Sequence, residues 1–148
     1  GAVLTAVVQS SSASVGILQA LCSTGAIGFA NAIPIIMGQN IGTCVTAMLS
    51  SIGATKNARR AALLHLYFNL IGTTLFMILF YVLHGIIDFT FMSQQASESG
   101  IAIVHTVFNV FATLTLLPMR NLLVKLAYFT IKKDEKKKLS IICWTSVS

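Results

Sequence analysis

The first 55 residues contain no Lys, Arg, Asp or Glu, yet they are crowded with Ser, Thr, Gln, Asn and Gly. Such a stretch is too apolar for a solvated loop and too polar for a plain membrane anchor. Amides and hydroxyls gathered inside membrane-like sequence point to something polar binding there. Two clusters stand out: Gln9-Ser10-Ser11-Ser12 and Gly38-Gln39-Asn40-Ile41-Gly42-Thr43.

The rest of the chain agrees with a membrane setting. Of its 148 residues, 55% are hydrophobic and only 9% are charged, whereas soluble domains carry roughly 25% charged residues. The net charge of +6 is not spread out. Lys56, Arg59 and Arg60 form one basic group, and Arg120, Lys125, Lys132, Lys133, Lys136, Lys137 and Lys138 form the other. A nucleic-acid binder would set such charges among aromatics on a polar domain. Here they flank apolar spans, so nucleic acid is not an expected partner. Cys22, Cys44 and Cys143 lack the paired spacing of a disulfide framework or a metal site, and small buried thiols are expected instead. No cleavable signal peptide is evident, and an opening on Gly1 inside an apolar run is expected of a segment of a longer chain.

Residues 61–83 are 23 in number and uncharged. As a helix they reach about 35 Å, enough to cross a hydrocarbon core of about 30 Å. Residues 100–117 form a second uncharged span, followed by Pro118 and Arg120. Between them, residues 84–99 hold Asp88 and Glu98 and no Lys or Arg. Every basic residue therefore falls on one side of a two-helix excursion. The positive-inside rule makes that side cytoplasmic and segment 84–99 external. The basic tail, residues 132–148, is then expected in the cytoplasm, its charge run held at the anionic inner leaflet by about 1 kcal/mol per basic residue.

The uncharged stretch 1–55 reads differently. Residues 1–8 are apolar but too few to span, and Gln9 to Ser12 interrupt them. Residues 13–21 resume the apolar pattern until Ser23-Thr24-Gly25 break it again. Residues 32–37, with Pro34 expected at a helix start, lead into residues 38–43, and residues 44–52 follow as another short apolar piece. Short arms separated by Gly- and Ser-rich breaks predict a re-entrant hairpin and an interrupted helix. Irregular backbone at membrane depth is tolerated only where it is buried in protein or lines a cavity. The plainer alternative is a tightly packed pair of helices rich in small residues. Residues 56–131 are expected to hold the two full spans and an amphipathic end. They carry a small repeat: His65-x-x-Phe68-Asn69 recurs 40 residues later as His105-x-x-Phe108-Asn109. His and Asn at this spacing share a helix face. Hydrogen bonds from each pair across to a neighbouring helix are expected, ahead of substrate contact.

The clusters suggest a chemistry. A Gln amide offers an acceptor and two donors, and a Ser hydroxyl offers one donor and two lone pairs. Hard cations such as Na+ favour oxygen ligands. Phosphate oxygens favour N–H and O–H donors, which a helix N-terminus supplies several at a time. With no Arg or Lys in the stretch, a divalent phosphate alone would be poorly stabilised at low dielectric. A cation bound beside it would offset the charge, so a neutral cradle favours taking both ions together. A hydrolytic Ser would need an activating base and a Gly-x-Ser-x-Gly elbow, and the sequence has no such elbow. It has no phosphate-binding P-loop either. An enzyme is not expected, and no cofactor beyond a coupling Na+ is implied.

The ordered set Thr5-x-x-x-Gln9-Ser10-Ser11-Ser12-Ala13, Ile35-Ile36-Met37-Gly38-Gln39-Asn40-Ile41-Gly42-Thr43-x-x-Thr46-Ala47 and Arg60-Ala61-Ala62-x-x-His65-x-x-Phe68-Asn69 resembles the type II sodium/phosphate cotransporter (Na/Pi) family, most of all its bacterial branch. The resemblance covers roughly residues 1–130. It implies an all-α integral membrane protein in the cytoplasmic membrane. In that family two inverted repeats each present a Gln-Ser-Ser motif in a re-entrant hairpin. This chain resembles one repeat, the second, so its partners would include the missing repeat or another protomer as well as phosphate, Na+ and the bilayer. By motif, Gln9, Ser10, Ser11 and Ser12 become candidate phosphate and ion contacts, supported by Asn40, Gly42 and Thr43. Sodium would be held through Gln9, Ser11, Ser12 and Thr43. Cys44 stands where the family often has a second Thr. The implied function is sodium-coupled symport of inorganic phosphate. The alternatives are a truncated membrane fragment that transports nothing, or an uncoupled anion channel.

Overall fold

The break at Gln9 and Ser10 divides the start of the chain into two short helices. In the computed structural model, which describes residues 1–132, α1 runs Ala2–Val8 and α2 runs Ser11–Ser23. Gln9 ends α1 in the left-handed region (φ 57°), its N–H donating to Thr5 O, and Ser10 turns extended to cap α2. At 1.5 Å per residue these helices reach about 10 and 20 Å, too short to cross a hydrocarbon core. The second break falls at Thr24 and Gly25, where Gly25 takes φ +75°.

Three long helices follow: α3 (Phe29–Ser50), α4 (Lys56–Ile87) and α5 (Glu98–Leu116). All three are long and apolar enough to cross a membrane. A 3-10 turn at Thr90–Ser93 lies between α4 and α5, and an isolated bridge joins Gly28 to Gln95. Phe29 N donates to Gln94 O and Ala96 N to Ile27 O, which ties the start of α3 to this connection. A last helix, α6 (Arg120–Thr130), turns back on the first turns of α4. Leu123 and Ala127 are buried along it, while Leu122 and Phe129 are exposed.

One core joins the two halves of the chain. Leu18, Cys22, Ala32 and Ile36 from α2 and α3 pack with Phe76, Phe108 and Ala112 from α4 and α5. Phe76 meets the Phe108 ring edge-on at 5.4 Å and stacks on Phe80 at 5.9 Å, geometries that aromatic quadrupoles favour. Cys22 and Cys44 are buried free thiols, as their isolation in sequence suggested, and Cys143 lies outside the described residues. Exposed Ile, Leu and Val side chains dominate the outer faces of α4 and α5, as lipid-facing helices require. Among the described residues, charge is segregated by end. Asp88 and Glu98 sit at the connection between α4 and α5. Lys56, Arg59 and Arg60 sit at the opposite end, beside the last residues of α6.

Several sequence expectations need correction. The interrupted helix is not interrupted, because α3 runs unbroken through Gly38 to Thr43. Its polar side chains are satisfied along its own axis: Asn40 Nδ2 donates to Ile36 O at 3.0 Å and Thr43 Oγ1 to Gln39 O at 3.0 Å. Its glycines serve contact rather than a break. A Cβ on Gly42 would collide with Ala2 O and stand 2.8 Å from Thr5 Cβ, and one on Gly38 would lie 3.0 Å from Ala2 N. Gly38 and Gly42, one turn apart, thus form the groove that seats α1. Pro34 does not start α3 but lies five residues inside it. The two His–Asn pairs bond first along their own helices, and among the described residues only the His65–Asn69 pair meets a neighbouring helix, at Cys44 of α3. Asn69 Nδ2 donates to His65 O and Asn109 Nδ2 to His105 O, each within its own helix. Cys44 Sγ donates across to His65 O at 3.5 Å. Segment 84–99 begins later than expected, since His84 to Ile87 still belong to α4. Most of the basic tail, residues 133–148, lies outside the described residues.

The close crossing of α1 and α3 makes a prediction. Gly42→Ala is expected to cost about 1–3 kcal/mol through overpacking, read as a lower thermal unfolding midpoint in detergent. Gly16→Ala, where a Cβ meets nothing within 4 Å, is expected to leave the midpoint in place.

Candidate functional site

The Ser run sits at the start of α2. Ser10 is the N-cap, its Oγ accepting from Ala13 N at 3.2 Å, and its Oγ lies 3.2 Å from Ser12 Oγ. The first intrahelical bond runs from Ser14 N to Ser10 O at 3.0 Å. The N–H groups of Ser11 and Ser12 precede it, in the first turn, where no intrahelical carbonyl is in reach. Gln9 and Ser12 are exposed, and Ser10 and Ser11 are half-buried. The arrangement is a row of hydroxyls above open backbone donors at the positive end of a 13-residue helix.

The second cluster lies on α3. Asn40 and Gly42 are buried and Thr43 is half-buried. Among the described residues no hydrogen bond joins Gln9, Ser10, Ser11 or Ser12 directly to Asn40, Gly42 or Thr43. The connection runs through three residues that motif reading did not select as contacts. Thr5 Oγ1 donates to Ser14 Oγ at 2.7 Å, and Gln39 Nε2 donates to Ser14 O at 2.8 Å. Thr5 and Ser14 are fully buried and Gln39 is 1% exposed. This bridge fixes α1, α2 and α3 to one another immediately below the Ser row.

Gln39 also carries an anomaly. Its Oε1 is buried and has no hydrogen-bond partner. A buried acceptor left unpaired costs about 1–3 kcal/mol. Such groups tend to persist where a ligand completes them. A carbonyl-type oxygen at this position suits a hard cation. The sequence did carry a signal for this residue. Gln39 stands inside the second polar cluster, but nothing in the spacing says that its amide faces α2 rather than bonding along its own helix as Asn40 does.

Comparison with known proteins now bears on the site. The sequence profile of the Na+/Pi-cotransporter family matches residues 1–129. The chain belongs to the Na+/Pi-cotransporter family. That family is one of transporters rather than enzymes, and with three apolar helices the chain is a multi-pass membrane protein. Among its relatives is YqeW of Bacillus subtilis, an uncharacterized protein, 34% identical over 133 residues, which are 88% of this chain and 42% of the relative. Human sodium-dependent phosphate transport protein 2B is 40% identical over 79 residues, 51% of this chain and 11% of that protein. YjbB of Salmonella typhimurium, named as a candidate inorganic phosphate export protein, is 30% identical over 134 residues, 90% of this chain and 24% of its own length. The chain thus spans less than half the length of these relatives. No solved structure matches.

The buried bridge predicts a non-additive pair. Ser14→Ala is expected to strand the Thr5 hydroxyl and cost about 1–3 kcal/mol, whereas adding Thr5→Val removes both partners and recovers most of that loss. Chemical unfolding in detergent of the two single variants and the double variant measures the coupling.

Proposed function

We propose that this chain forms half of a sodium-coupled transporter of inorganic phosphate, with phosphate bound at the Ser row that opens α2. The observation that carries this reading is the start of α2. Three hydroxyls and two open backbone N–H groups are gathered there without a fixed positive charge, in a chain of the Na+/Pi-cotransporter family. In the proposed arrangement α1 and α2 are the two arms of a re-entrant hairpin, short because they meet at membrane depth. Gln9, Ser10, Ser11 and Ser12 contact phosphate. Sodium takes oxygens from Gln9, Ser11, Ser12 and Thr43, and Gln39 Oε1 supplies a further oxygen of the right kind. Asn40 and Gly42 support the site, Asn40 through its own helix and Gly42 by admitting α1. The second half comes from an inverted repeat or another protomer, and the basic end faces the cytoplasm by the positive-inside rule.

Neutral donors explain the coupling. Hydrogen bonds to a charged group contribute about 1.5–3 kcal/mol each. Desolvating a divalent anion costs far more unless a cation shares the site. Sodium therefore raises phosphate affinity, and by linkage phosphate raises sodium affinity by the same factor. The names of the relatives differ on direction, with sodium-dependent transport for one and export for another. A symporter runs with its ion gradient, and import is the direction proposed here.

The deciding measurement is phosphate uptake into proteoliposomes that hold the chain together with its partner repeat, with and without an inward Na+ gradient. Uptake is expected to require Na+, to be abolished by Gln9→Ala, and to show an apparent phosphate affinity about 10- to 100-fold weaker for Ser11→Ala. Uptake indifferent to Na+ would sink the coupling, a linear Na+-independent current would make the protein an anion channel, and no uptake at all would leave a non-transporting membrane fragment. Gln39→Met removes the orphan acceptor together with the bond to Ser14 O. The Na+ concentration for half-maximal uptake is expected to rise, and the thermal unfolding midpoint to fall with the loss of one buried hydrogen bond, about 1 kcal/mol.

A further inference from the structure

At the basic end of the bundle the turn between α3 and α4 and the last residues of α6 border an open cavity of about 480 Å³. Its lining is divided. Met48, Ile52, Leu63 and Ile131 are apolar, Ser51 and Thr130 carry hydroxyls, and among the described residues Arg59 supplies the one cationic group. Arg59 and its neighbour Arg60 do different work. Arg60 is 6% exposed, donates Nε and Nη2 to Ile131 O and Nη1 to Asn57 Oδ1, and stacks on the Tyr128 ring at 4.2 Å. It is fully used in clasping α6 to α4. Arg59 is exposed, and the described carboxylates, Asp88 and Glu98, stand at the other end of the molecule.

From this we infer that the α3–α4–α6 junction binds an anionic phospholipid, its phosphate on Arg59 and its acyl chains along Met48, Ile52, Leu63 and Ile131. The position fits. Arg59 and Asp88 are separated by 29 residues on α4 and its cap, about 43 Å of helix, against about 40–45 Å for a bilayer measured across its headgroups. With Asp88 in one headgroup layer, Arg59 lies in the other. Two large apolar side chains at this end are strongly exposed, Ile52 of the cavity lining at 76% and Phe129 of α6 at 80%. Some of the C-terminal carbonyls of α3 and α6 beside the cavity are already taken. Ser51 N already donates to those of Ala47 and Met48, and Arg60 caps that of Ile131. A free phosphate would share the guanidinium chemistry but gains nothing from four apolar walls, which favours the lipid.

The test is native mass spectrometry of the full chain in detergent, titrated separately with phosphatidylglycerol, with phosphatidylcholine and with inorganic phosphate. Phosphatidylglycerol is expected to bind about fivefold more tightly than phosphatidylcholine, the effect of one basic residue at an anionic surface. That preference should vanish in Arg59→Gln, survive in Arg59→Lys, and survive in Arg120→Gln, which removes a charge outside the cavity. Equal binding of the two lipids to the unaltered chain, or a preference that persists in Arg59→Gln, overturns the inference. So does loss of the preference in Arg120→Gln, which would make it a general surface-charge effect. Displacement of phosphatidylglycerol by millimolar inorganic phosphate would assign the cavity to free phosphate instead.

Discussion

Ser14 has no unfilled role in this fold. Its hydroxyl accepts from Thr5 and its carbonyl from Gln39, so a single buried residue holds three helices in register. Inside a bilayer, water cannot stand in for a missing partner, and each polar group must be met by protein. The first 55 residues hold many such groups, and most are met along their own helix. The buried Thr5–Ser14–Gln39 bridge meets them between helices, as do Gln19 with Glu98 O and Cys44 with His65 O. Loosening the bridge would free α1 from α3 and tilt the start of α2, with the Ser row on it.

The glycine groove and the polar bridge act on the same joint from two sides. Gly38 and Gly42 let the α1 backbone approach α3. That closeness brings Thr5 within reach of Ser14. Packing in membranes gains little from burying apolar surface, because lipid tails are as apolar as Leu, and close contact between small residues carries more of the association. The aromatic core around Phe76 and Phe108 then fixes the paired long helices on which this small apparatus rests.

Charge and length were the legible parts of the sequence. The spans at α4 and α5 follow from two charge-free runs, and the placing of every basic residue away from the connection that holds Asp88 and Glu98 follows from where those runs begin and stop. The αL break at Gln9 was announced by three serines after an apolar arm. The continuity of α3 was not legible. Gly, Asn and Thr in a row read as a break because their intrinsic preferences favour turns, and only the presence of α1 against that face explains why glycine is needed in an unbroken helix. The His-x-x-Phe-Asn repeat misled for a related reason. Spacing places His and Asn on one face, but it does not say that each Asn amide will turn back to the His carbonyl of its own helix. Gln39 was visible as a member of a cluster. Its orientation toward Ser14 is a tertiary fact.

The break at Gln9 and Ser10 has an electrostatic meaning beyond its shape. α1 ends there and α2 begins there, so the last carbonyls of one helix and the first N–H groups of the other open onto the same gap. The partial charges of helix termini are opposite at the two ends. A segment without one ionised side chain therefore offers a negative fringe and a positive fringe side by side, set by backbone alone. Because they are not carried by titrating groups, these fringes keep their sign at any physiological pH. Substitutions of the serine side chains would thin the donors without removing the polarity that the two helix ends impose.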